Sequence, residues 1–172
     1  MSEGQRIKAM LAALLENLSE VLRENGAYDS LCAVTIYPGN MVPYDYALDS
    51  DNECSGGQAW VRLFNGFPTK DYPTPDTRLS NCTAELGLMV EVGIIRPAAV
   101  MEQFATEVSI PSPEQEFDLS MALVDDMVWM KEAVIRTKAD YSDLMLGSWT
   151  PYGPDGGAVG GTWTVTATAD QS

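Results

Sequence analysis

The sequence predicts an α+β fold: a mostly antiparallel β-sheet with two main helices packed on one face, long loops and a Gly-rich hairpin. Three segments carry that expectation. An amphipathic run opens the chain, a long alternating run lies at its centre, and a capped helical run fills its last third.

The opening helix is expected over Glu3 to Asn25. Ile7, Leu11, Leu14, Leu18, Val21 and Leu22 recur at spacings of three and four, which draws one apolar stripe down a helix. Asn25-Gly26 supplies the stop, since glycine tolerates the left-handed cap conformation. A short β-type run, Leu31 to Tyr37, ends at Pro38-Gly39, and the chain then reads as loop from 40 to 57. Gln58 to Phe64 reads as a strand, with Trp60, Arg62 and Phe64 alternating against Val61 and Leu63. Pro68, Pro73 and Pro75 predict an extended loop over 65–79.

The clearest strand is Thr83 to Ile95. Ala84, Leu86, Leu88, Val90, Val92 and Ile94 share one face, which predicts burial. Thr83, Glu85, Gly87, Met89, Glu91 and Gly93 share the other, which is wet or at an interface. A short helical stretch is expected over Ala98 to Val108. The late helix is expected from Pro113 to Thr137, with Ser112 as N-cap, Pro113 in the first turn and Gln115 at the capping-box position. It carries two apolar stripes, Phe117, Met121, Val124 and Val128, and Leu123, Met127, Met130 and Val134. Two stripes describe a helix packed on its own sheet and on something else, or one buried deeply on both sides. A run from Leu144 to Thr150, a long Gly-rich turn and a strand from Thr162 to Ala169 complete a hairpin with a threonine-lined outer face.

At 172 residues with 45% hydrophobic composition, the chain fits one domain spanning 1–172 and has material for a real core. Ten Lys plus Arg against 25 Asp plus Glu give a formal charge of −15. A field of that sign repels phosphate backbones and anionic bilayers, so neither nucleic-acid groove binding nor membrane docking is expected. Cys32, Cys54 and Cys82 are odd in number and far apart. Two of them pair only if the fold brings them together, and reduced thiols are the expectation. Lys8 interrupts the first apolar run, so no export signal is expected, and no segment approaches the roughly 20 apolar residues that span a bilayer.

Chemistry finds little foothold. There is no histidine, so Ser-His-Asp and Cys-His arrangements cannot be built. No Gly-rich phosphate loop opens a helix. Asp49-Ser50-Asp51-Asn52-Glu53 begins like a calcium loop, but Cys54 stands where glycine is needed and Trp60 where a bidentate glutamate is needed. No catalytic residue, metal ligand or cofactor is therefore expected. Glu85 with Glu91, and Asp125 with Asp126, are expected to be charges on an exposed face. Loop aromatics such as Tyr44, Tyr46 and Tyr152 either serve an interface or cover the sheet ends.

The opening helix Ile7 to Leu22, the alternating strand Ala84 to Ile94, the late helix Phe117 to Ile135 and the Gly-rich hairpin ending in Trp163-Thr164-Val165 together resemble the tail terminator family of long-tailed bacteriophages, which includes the lambda minor tail protein U. The resemblance is one of size, element order and composition. It implies a non-enzymatic virion protein, assembled in the host cytoplasm, six copies of which close into a ring at the head-proximal end of the tail, ending tube polymerisation and joining the tail to the head. Its implied partners are itself, the tail tube protein and a head–tail connector or head-closure protein, with DNA passing through an acidic lumen without specific binding. Asp45, Asp49, Asp51 and Glu53 are the candidate lumen or interface loop. Tyr44, Tyr46, Glu85, Met89, Glu91, Met127, Met130, Tyr152 and Asp155 are the candidate interface residues. The loops at 38–57 and 65–79 depart from the family pattern. Other readings are a neighbouring connector or tube-type subunit, a carboxylate-based small-molecule binding module, and an acidic mimic of DNA.

Overall fold

A computed structural model describes residues 2–39, 42, 54, 56–76, 85–98, 112–155 and 157–169. Helix α1 spans Glu3–Glu24. Ser2 caps it reciprocally: its hydroxyl accepts from the Gln5 backbone N–H while the Gln5 side chain accepts from Ser2. Gly26, at φ 70°, turns the chain out of the helix. Met10, Leu14, Leu18, Val21 and Leu22 are all buried, each contributing roughly 1.5–3 kcal/mol of apolar transfer. A 3-10 turn at Tyr28–Ser30 then leads to β1, Ala33–Ile36.

The sheet contains β1, β2 (Gln58–Asp71), β3 (Thr74–Pro75), β4 (Glu85–Pro97), β5 (Met145–Asp155) and β6 (Ala158–Thr168). The strand order is β1-β2-β4-β6-β5, with β3 paired to the far end of β2. Among the described residues, only the β1–β2 pair is parallel; the other pairs are antiparallel. Helix α2 spans Pro113–Thr137 with the Ser112–Gln115 capping box in place. Both helices lie on the face that carries Ala59, Val61, Leu88, Val90, Val92, Ile94, Val165 and Ala167, and these residues form one core with α1 and α2. The α+β architecture expected from sequence is therefore observed.

Several elements differ from the sequence reading. β2 does not stop at Phe64 but continues to Asp71, because a bulge between Leu63 and Asn65 re-registers it against β4. Pro68 pairs opposite Leu86 within that strand, and its carbonyl accepts from Asp76. The expected loop over 65–79 is thus strand and tight turn through residue 76. The hairpin turn is short rather than long: β5 runs through Pro151, Gly153 and Pro154, and Asp155 pairs with Ala158. Two bulges in β5 absorb the irregular residues. Cys32 and Cys54, expected as thiols, are joined in a disulfide with Cα atoms 5.5 Å apart. The reason is topological: the Cys32 N–H donates to the Gly57 carbonyl at 2.8 Å, so the start of β1 and the approach to β2 lie side by side. Apart from Ala98, the stretch expected as helix at Ala98 to Val108 lies outside the described residues, as does Cys82.

Candidate interaction surfaces

The face of the sheet turned away from the helices is built from the alternate set of strand residues. Register places Trp60 opposite Gly93, Arg62 opposite Glu91, and Phe67 opposite Gly87, while Thr162, Thr164, Thr166 and Thr168 continue the same face on β6. The glycines make room for rings. A Cβ on Gly93 would collide with the Trp60 indole, and one on Gly87 with the Phe67 ring. At one end, Trp60 packs with Val42, Ile95 and Ala158, and Tyr37 and Tyr152 close over them as a second, smaller core.

Beside that core sits a charged knot. The Arg62 Nε and Nη2 donate to the two Glu91 carboxylate oxygens at 2.7 and 2.9 Å, and the Trp60 Nε1 donates to the same carboxylate at 3.0 Å. The Glu91 side chain is 14% exposed. It is a satisfied, half-sheltered partner and not the exposed charge that alternation implied, because its cross-strand neighbour is an arginine. Asp126 departs from expectation more strongly. It is buried, clamped by Arg96 from the end of β4, and burial holds its carboxyl above the usual carboxylate range although the guanidinium pulls it down.

A third polar centre ties the chain ends together. Asp143 accepts from Arg6 Nη2 at 2.6 Å and from the Thr168 backbone N–H at 2.9 Å, while its carbonyl accepts from the Tyr72 hydroxyl at 3.0 Å. Burial raises the Tyr72 phenol above its ordinary value. These groups hold α1, β6, the β2–β3 turn and the segment before β5 in one place. Their polar atoms are committed to each other, as in a structural joint.

Helix α2 presents the least committed surface. Its inward residues Met130, Ala133 and Val134 are buried, and Leu123 and Met127 are half-buried. The opposite stripe is open: Phe117 is 61% exposed, Met121 45%, Val124 48%, Val128 48% and Ile135 55%. The two-stripe pattern thus resolves into one stripe on the core and one on the surface.

Among the candidate interface residues, Glu85 is exposed and Met89 half-exposed on the outer sheet face. Met130 is fully buried and belongs to the core, since its stripe faces the sheet. Met127 is half-buried, and its carbonyl accepts from Trp163 Nε1 at 2.8 Å. Tyr152 packs on the smaller core. Tyr44, Tyr46, Asp45, Asp49, Asp51, Glu53 and the side chain of Asp155 lie outside the described residues.

Phe117, Val124, Val128 and Ile135 are not among the interface residues expected from sequence, although their spacing was a signal that pointed to them. Arg62 and Arg96 were hidden, since their partners lie in other elements and leave no local pattern. Among the described residues, no group of three or more Cys, Asp or Glu is placed to hold a metal. A small open cleft at the β2–β3 turn is lined by Lys70, Asp71, Thr74, Pro75 and Asp76. No helix of the described residues is long and apolar enough to cross a membrane.

Comparison with known proteins finds no matching family model and no matching curated sequence.

Proposed function

We propose that this protein is a structural subunit that assembles with copies of itself, in the manner of the ring-forming tail terminators its layout resembles. The observation that carries this reading is a pair of uncommitted surfaces on opposite sides of the body. One is the outer stripe of α2. The other is the outer sheet face around Phe64, Met89 and Met145, the last 43% exposed. A monomer rarely leaves a row of large apolar side chains such as the α2 stripe open, whereas a subunit with lateral and axial neighbours needs a second face as well. The formal charge of −15 suits a channel wall past which DNA slides without adhering. In this reading the partners are the tail tube protein and a head–tail connector or head-closure protein, the location is the head–tail junction of the virion, and no catalytic step is involved.

The test is mass measurement of the purified protein with tail-tube protein, followed by electron microscopy of the tube ends. Density on the head-proximal end is the expected result. A protein that never associates with tube ends, or that labels the opposite end, overturns the proposal.

A further inference from the structure

We infer that two copies of this chain pair through the outer stripe of α2, antiparallel and about a twofold axis. The exposed residues Phe117, Met121, Val124, Val128 and Ile135, with Lys131 between the last two, follow steps of four, three, four, three and four. That is an a/d spacing with apolar residues at five positions and a lysine at the sixth, the pattern by which one helix meets another knob into hole. The buried residues of α2 are Asp126, Met130, Ala133, Val134 and Thr137. None of residues 113–125 is buried, so the first half of the helix is capped but has little core beneath it among the described residues.

The seam is complementary to itself. Turned antiparallel about a centre at residue 126, Phe117 meets Ile135 of the second copy, Val124 meets Val128, and Met121 lies under the Lys131 stem. The same rotation sets Glu114 against Lys138, and symmetry repeats every contact. Charge selects the direction. The first half of the helix carries Glu114, Glu116, Asp118 and Asp125; its end carries Lys131 and, just past it, Lys138, while Arg136 there is held by Glu24 and Glu132. An antiparallel pair sets the acidic half beside the basic end, whereas a parallel pair sets like beside like. Near the axis Asp125 faces its own symmetry mate, a like-charge contact that the acid–base pairs at the two ends of the seam must outweigh.

A twofold contact joins like to like and is distinct from the head-to-tail contact that closes a ring. It uses one of the two faces on which the proposed function rests, but its test needs no tail protein, so a failure here and a failure to bind tube ends are read in separate experiments. The experiment is sedimentation of the full chain with helicity checked by circular dichroism, with no tail protein present. Wild type is expected at twice the chain mass of 18.7 kDa. Val124→Glu, at an exposed position, is expected to keep its helicity and weaken pairing at least tenfold. Glu114→Lys is expected to weaken pairing, and the double variant Glu114→Lys with Lys138→Glu to restore it, a rescue that only the antiparallel register provides. A wild type that stays at one chain mass, an assembly whose mass Val124→Glu leaves unchanged, or a charge reversal without rescue overturns the inference.

Discussion

Arg96 Nε and Nη2 each lie 2.7 Å from one carboxylate oxygen of Asp126, a fork that fastens the end of β4 to the middle of α2. The carboxylate side chain is 2% exposed, so removing the guanidinium strands a charge away from water. Arg96→Met is expected to cost about 3–5 kcal/mol at neutral pH. The pH dependence has a definite sign. Burial raises the folded pKa of Asp126 above its ordinary value, so its contribution to stability falls as pH rises from the unfolded pKa through the folded one. Without Arg96 the folded pKa rises further, and the variant's deficit should shrink on acidification. Urea midpoints at pH 4.5 and 7 read this directly; equal deficits at both would show that Asp126 is not the group responsible. Glu24 runs the other way. Arg136 lowers its pKa below 4.5, so that exposed pair's contribution is present above 4.5 and lost as pH falls through the folded value.

The Cys32–Cys54 bridge spans 22 residues and clamps a four-residue edge strand. Loop-closure arguments give such a bridge roughly 3 kcal/mol of stability. Reduction, or Cys32→Ser with Cys54→Ser, is expected to lower the urea midpoint accordingly. Amide exchange should quicken first in β1, the edge the bridge secures. With two of three cysteines bridged, the unreduced, denatured chain should titrate one thiol and the reduced chain three. Three thiols without reductant would show that the bridge does not form.

What could be read from sequence divides along physical lines. Period-3.6 and period-2 patterns report which face of an element meets the core, so α1, α2 with its Ser112 cap, and the Leu88–Ile94 face were legible. Bulges were not. Residue 64 shifts the parity of β2, and alternation up to Leu63 cannot foretell that Phe67 rejoins the outer face. Pairings between distant residues were equally hidden. Nothing near Asp126 marks Arg96 as its partner, and nothing near Glu91 marks Arg62. Asp125 and Asp126 look alike in sequence, yet one is exposed and the other is buried. The apolar seam was visible as a pattern; only packing showed which of the two stripes stayed outside.

Gly93 lies beneath the Trp60 indole, and any Cβ there would strike the ring. Trp60 is 2% exposed and tied to Glu91, so it has no free direction of retreat. Gly93→Ala is expected to cost about 1–3 kcal/mol through overpacking. Gly4→Ala is the matching control: it sits in the first turn of α1 with nothing within 4 Å of a new Cβ. That change should leave stability unchanged or raise it by about 0.5–1 kcal/mol. Thermal unfolding of both variants separates a steric cause from a general intolerance of lost glycine.

Met121 and Met130 sit on the same helix with the same side chain and opposite surroundings. Met130 is 0% exposed within the core shared by both helices and the sheet, while Met121 is 45% exposed on the outer stripe. Met130→Ala removes buried methylenes and leaves a cavity, so about 2–5 kcal/mol should be lost. Met121→Ala removes a surface contact that the isolated chain does not use, so its unfolding midpoint at low concentration should shift by no more than about 0.5 kcal/mol. The same variant trims the seam through which two copies are inferred to pair. Its unfolding at high concentration should therefore fall behind wild type, whose midpoint rises with protein concentration as association stabilises the folded state. A wild-type midpoint that is flat with concentration would show that the outer stripe meets nothing in solution, and equal losses for the two methionines would show that α2 is seated differently on the sheet.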